Sequence, residues 1–290
     1  MREYLFPSHD PGGGGGTPGF VAGTGSNAMK SADFLAQAGF PADASGADSL
    51  ALVSYARATN THAIAIGLST QAAGNSSLAI GPGAIAQGND SVGIGRSSQS
   101  TGANGLAIGA NSRATAADAV GIGNQAYANA VEQVMIGASV QGDAFSYTSV
   151  GIGQNIQFTN AEDSVYLGTN GVIQGARSFN MGSGNQYYGT DGIILGSYST
   201  IGAGNQRNLL MGHGNNAISV PSGINDYISI GRVNSPVGSA SNTIAIGLLP
   251  QVTNSGDSVV IGRQSTLNGA SSSVAIGRQI ALTAAQSAGS

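Results

Sequence analysis

The sequence predicts an all-β fold: a parallel β-roll, or short-coil β-solenoid, with about 14 residues per coil. Three observations predict it. An apolar-x-apolar-Gly signature recurs from Gly67 to Gly277, and its first five steps, Gly67 to Gly81, Gly95, Gly109, Gly123 and Gly137, are all 14 residues. Later steps lengthen to between 14 and 19 residues without losing the signature. Each unit also divides into two alternating halves, as in Leu78-Ala79-Ile80 and Ala84-Ile85-Ala86, separated by Gly and closed by the turn residues Gly88-Asn89-Asp90. Finally, 47 Gly, no Cys, no Trp and only 8% charged residues describe a chain of tight corners and small side chains.

The elements follow in chain order. Residues 1–28 read as an attachment peptide, in which Tyr4, Leu5, Phe6 and Pro7 form a short sticky segment on a flexible Gly leash. Residues 29–48 read as a short capping helix and linker. Ser31 suits its N-cap, Asp33 its positive end and Gly39 its stop, with Met29, Phe34, Leu35 and Phe40 as its apolar face. Such a cap would cover the unpaired edge that a solenoid exposes at its end. Residues 49–285 are the roll, sixteen coils if "SLALV" (Ser49 to Val53) is counted as the first, and residues 286–290 are a tail.

At about 3.3 Å per residue, a 14-residue circuit is only some 46 Å long, with room inside for one layer of side chains. Sixteen coils at about 4.8 Å each would build a rod of roughly 75 Å. The alternation suggests that the Val/Ile pair points inward and the middle residue outward. On that reading Ala65, Ala79, Gly93, Ala107 and Gly121 lie outside, where their small size lets neighbouring chains approach, and packing changes beyond Met135. One coil then buries about 3–5 kcal/mol of apolar surface, against roughly 1 kcal/mol or more for each ordered residue. A lone roll this thin needs a partner surface, most simply further copies of itself.

The stretches "SLAIGPGAIAQGNDSVGIG" (Ser77 to Gly95) and "GLAIGANSRATAADAVGIG" (Gly105 to Gly123) resemble the head repeats of trimeric autotransporter adhesins, the YadA-like heads. The likeness is strong from Ser49 to Gly137, recognisable to Gly196, looser to Gly231 and clear again from Thr243 to Arg278. It implies a left-handed roll, an intertwined homotrimer and a role in adhesion. Phage tail fibres and other virion fibres use similar trimeric rolls, and the Gly-leashed N-terminal peptide suits that setting. The expected function is a virion fibre docked by its N-terminus on a tail, baseplate or collar protein. Its distal coils would contact a glycan or protein of the host surface. The head of a bacterial surface adhesin is the alternative, and a spacer or decoration fibre without receptor a third.

Other functions find little support in the residues. A net charge of -4 gives no reason to expect nucleic-acid binding. The opening "MREYLFPSHDPGGGGG" lacks the basic start and apolar core of a signal peptide, and no run of about 18 apolar residues predicts membrane insertion. G-x-G patterns lack the βαβ context of a nucleotide site. His9, His62 and His213 share no metal-ligand spacing, no cofactor is expected, and Glu162-Asp163, the only adjacent acidic pair, would point to opposite faces of a strand. No enzymatic activity is expected. Candidate receptor contacts are Tyr187 and Tyr188, Tyr227 beside the longest coil, and the arginines that follow the signature Gly, Arg232, Arg263 and Arg278. From Tyr227 onward three Arg face one Asp (Asp257), a local charge of +2 that could attract anionic polysaccharide.

Overall fold

A computed structural model describes residues 20–31, 41–217, 224–234, 236, 238 and 240–284. Among them there is no helix, and parallel strands stack into a β-solenoid of about 15 turns. Each coil has a first strand such as Leu78–Ile80, a corner at the signature Gly, a second strand such as Ile85–Ala86, and a second corner. Successive coils stack in strict register. Leu78, Ala79 and Ile80 lie beside Val92, Gly93 and Ile94, and these beside Leu106, Ala107 and Ile108. At the first corner Gly109 has φ +125°, and a Cβ there would lie 2.3 Å from the carbonyl oxygen of Gly123 in the next coil. That combination of backbone shape and close stacking leaves glycine as the fitting residue.

The two faces of the first strand are the reverse of those suggested by the alternation. The middle residue is the buried one: Ala51, Ala65, Ala79 and Ala107 are all fully buried. The flanking pair, Leu78 and Ile80 in the same coil, is only half-buried and lies on the outer surface. Circuit length explains the inversion. Two strands closed by fourteen residues come so near that a Cβ at Gly93 would lie 2.7 Å from the carbonyl oxygen of Ile85 across the coil. Only Ala, Gly, Ser or Thr fits between them, so the large apolar residues are turned out. The small residues serve close approach within one chain, not between chains.

The rod changes along its length, as the drift in residue size suggested. The apolar part of the core in its first coils is alanine alone, from Ala28 to Ala86, beside buried Ser49, Thr70 and Ser77. From Met135 onward the interior also takes Ile156, Phe158, Tyr166, Tyr187, Leu210 and Tyr227. Large residues are matched by small ones within a coil: a Cβ at Gly171 would fall 2.2 Å from the Tyr166 ring, and one at Gly151 2.7 Å from the Phe158 ring. In the same region the strands Val134–Gly142, Val150–Phe158 and Val165–Ile173 run unbroken through the first corner and join the two stacks into one sheet.

Stacking begins before residue 49. Met29–Ser31 lies beside the first strand of the next coil, with Met29 against Leu50, and Asp43–Ala44 lies beside Arg57–Ala58. Phe20–Ala22 then closes that end by pairing antiparallel with Met29–Ser31. The predicted N-terminal helix is therefore not present at Met29 and Ser31, which are strand. Ser31 is no N-cap: its buried Oγ accepts a hydrogen bond from the Val53 amide at 3.2 Å. The rest of that helix, with Asp33, Phe34, Leu35, Gly39 and Phe40, lies outside the described residues, as do Tyr4, Leu5, Phe6 and Pro7.

Candidate functional site on the outer surfaces of the rod

Because the interior is filled, the described residues can meet a partner only on four outer surfaces: two strand faces and two corners. The first-strand face is apolar throughout. Sixteen coils, from Leu50 and Leu52 to Val274 and Ile276, present two Val, Ile, Leu, Met or Phe side chains each, and none of these is buried. With about 4.8 Å between coils and about 7 Å across the pair, the stripe is roughly 72 Å long and covers on the order of 500 Å². This matches the largest apolar patches found on ordinary monomers, and it is drawn out into a single line.

The second-strand face is polar. Its outward column reads Arg57, Gln71, Ile85, Gln99, Arg113 and Tyr127, with the Arg113 guanidinium 4.9 Å from the centre of the Tyr127 ring. Farther along, Ser139, Gln141, Asn155, Gln157 and Asn170 line a shallow open groove of about 400 Å³ together with Ile156, Gly171 and Val172.

The corner before each first strand carries the acidic residues. Asp48, Asp90, Asp118, Glu132, Asp163, Asp191, Asp226 and Asp257 all sit there with φ between 52° and 57°. Asp tolerates this left-handed backbone better than most residues, which accounts for much of its presence. Two are paired with an arginine of the preceding coil. Arg177 forms a two-pronged contact with Asp191, and Arg207 another with Asp226 at 2.7 and 2.8 Å. These hydrogen bonds hold both carboxyls below the usual carboxylate range.

The corner after the signature Gly carries the opposite sign. Ser197, His213, Arg232 and Leu248 stand in register there, followed by Arg263 in the next coil and Arg278 one coil farther. Arg232, Arg263 and Arg278 are exposed, and none has an ion-pair partner among the described residues. Structure thus brings the three predicted arginines onto one edge.

The predicted tyrosines fare differently. Tyr187 and Tyr227 are core residues, 0% and 1% exposed, and cannot offer a ring to a receptor. Tyr187 does replace a small second-strand residue, but it fills the inside of its own coil. Only Tyr188 is partly exposed, its hydroxyl 3.4 Å from Gln186 Oε1. Residues 218–223 of the longest coil lie outside the described residues.

The alternation could not single out Tyr198, which is 63% exposed on the same corner as the arginines. Its ring meets the His213 ring edge-on, with centroids 5.6 Å apart, and Nδ1 of His213 shares a 2.9 Å hydrogen bond with Ser197 Oγ. The available signal was its place two residues after Gly196, where other coils carry Ser69, Ser97, Asn111 or Gln125.

Among the described residues no group of three His, Asp or Glu side chains could hold a metal ion, and no helix is long and apolar enough to cross a membrane. No protein-family model matches the sequence, and no curated protein matches it.

Proposed function

We propose that the chain is the shaft of a homotrimeric fibre, assembled through the apolar first-strand faces of three copies. The observation that supports this reading is the unbroken stripe of paired Val, Ile, Leu, Met and Phe side chains along all sixteen coils. A coil whose interior is alanine gains little from burial within one chain, so the remaining apolar surface has to come from outside it. Three parallel rods meeting along such stripes would leave the Gln-rich face and both charged corners in water.

In this reading the fibre belongs to a virion. The Tyr4-Leu5-Phe6-Pro7 peptide docks on a tail, baseplate or collar protein, and the distal C-terminal coils meet the host surface. The resemblance of the repeats to adhesin heads equally supports a bacterial surface adhesin. Both readings share the trimeric rod and differ in what lies at its base.

Light scattering on the purified chain, with and without residues 1–28, tests the proposal. Three chain masses in both forms is the expected result, and a well-folded monomer would overturn it. Deleting the coils beyond Gly231 and measuring particle adsorption tests the contact role. Unchanged adsorption would reduce the fibre to a spacer.

A further inference from the structure

We propose that the corner following the signature Gly, from Tyr198 to Arg278, is a binding edge for an extended acidic polysaccharide lying along the rod axis. This deepens the fibre reading by naming the ligand class at its distal coils, and rests on that reading only for whose surface carries the ligand.

Two parallel lines of side chains build the edge. One line carries His213, Arg232, Arg263 and Arg278, interrupted by Leu248 between Arg232 and Arg263. The other, displaced by one residue, carries Tyr198, Val233 and Leu249, exposed by 63%, 39% and 37%, with Gly214 between the first two and Gln264 and Gln279 beyond them. Neither line contains a carboxylate. The acidic residues cluster on the opposite corner, where they take up Arg177 and Arg207. Arg232, Arg263 and Arg278 are thus left with their charge directed to solvent.

The apolar line is not what this corner ordinarily selects. Tyr198, Val233 and Leu249 have φ of 51°, 57° and 57°, a left-handed conformation that suits Gly, Asn or Asp and disfavours branched or bulky side chains. Other coils place Ser69, Gly83, Ser97, Asn111, Gln125 or Asn170 there, and Tyr55 in the first coil is a further large side chain at this position, with φ of 59°. Val233 shares its coil with Arg232, Leu249 lies in the coil between those of Arg232 and Arg263, and Tyr198 lies two coils before Arg232, so these partly exposed side chains border the arginine line.

Tyr198 is also oriented. A side chain at Gly184 in the preceding coil would come within 2.8 Å of its ring, so the ring lies over that glycine. The His213 ring braces it edge-on from the other side. The remaining surface is open to a flat partner, and the C–H face of a sugar ring is such a partner. Five coil steps separate Tyr198 from Arg278, about 24 Å at about 4.8 Å each, and one step is close to the length of one sugar unit. A chain of uronate-type sugars would set ring faces on the apolar line and carboxylates on the arginine line.

The test uses the full-length purified chain and a uronic-acid hexasaccharide, measured by titration calorimetry. The same oligosaccharide with its carboxyls reduced and a single-stranded DNA of equal charge serve as competing probes. Binding of the uronate is expected, with loss on carboxyl reduction. Tyr198→Ser, the residue found at Ser69 and Ser97, should weaken it about tenfold. R232Q with R263Q should weaken it further, while R96Q, at the same corner far from the edge, should leave it unchanged. An unchanged thermal midpoint for Tyr198→Ser shows that the coil is intact. No binding of the uronate would overturn the proposal. So would DNA binding of equal strength that ignores Tyr198→Ser, since the edge would then be a general polyanion patch. Loss of adsorption on deleting the distal coils, without uronate binding, would sink this edge and leave the fibre reading standing.

Discussion

Replacing Gly121 by Ala adds one methyl group and tests which way the first strand faces. Were the middle position on the outer surface, Gly→Ala in an extended strand would stabilise the fold by about 0.4–1 kcal/mol, because Ala loses less backbone entropy on folding. In the structure the new Cβ points across the narrow coil. It would lie 2.3 Å from the Arg113 carbonyl oxygen and 2.9 Å from that of Ala126. Ordinary carbon–oxygen approaches are about 3.3–3.6 Å, so the two strands of the coil must part by roughly 1 Å. Both obstacles are backbone, and overpacking of this kind costs about 1–3 kcal/mol. A net loss of about 1–2 kcal/mol is expected. Gly151→Ala supplies the contrast, since its Cβ would meet Phe158, Val140 and Met135 at 2.7–2.9 Å, all side chains that can turn aside. Its cost should stay below about 1 kcal/mol. Urea midpoints at one fixed protein concentration give both values. A Gly121→Ala protein as stable as the parent, or more so, would refute the inward placement of the middle residue.

Three further outcomes are expected. Ile122→Glu places a charge in the middle of the outer apolar stripe, and light scattering should show a lower molar mass than the parent at equal concentration. An unchanged mass would remove the stripe from the assembly. Acid should destabilise the rod through Asp191 and Asp226, whose carboxyls Arg177 and Arg207 hold low. That contribution is full above about pH 4 and is lost as pH falls through the depressed folded values. The decline of thermal midpoint between about pH 5 and pH 2 should therefore be shallower in a D191N/D226N protein, and identical slopes would contradict it. Tyr187 Oη is buried without a hydrogen-bond partner, so Tyr187→Phe should be neutral or slightly stabilising, whereas Tyr187→Ala should cost about 3–5 kcal/mol. Equal losses in both variants would mean that the hydroxyl, not the ring, matters.

The solenoid itself was legible because its signal is a period. Fourteen-residue spacing of Gly109, Gly123 and Gly137 needs no side-chain chemistry to read, and it fixes the coil, the register and the direction of stacking. Inside and outside were another matter. Alternation says that Leu78 and Ile80 share a face, but only the distance between the two strands decides which face, and the corners set that distance. A rule that sends large apolar residues inward fails once the interior is narrower than a valine. Tyr187 and Tyr227 were misplaced for the same reason in reverse, because the interior widens beyond Met135 enough to hold a ring. At the corners, by contrast, the residue directly after the signature Gly turns to solvent, and the arginines following Gly231, Gly262 and Gly277 stand where the period puts them. Those corners carry the acidic row and the positive-φ residues, while the first-strand face carries the apolar stripe. A rod built this way can vary the exposed Tyr198 or Arg232 without replacing a core residue, because the turn itself is held by buried neighbours such as Asn185 and Asn215, whose side-chain amides donate to the Gly196 and Gly231 carbonyls.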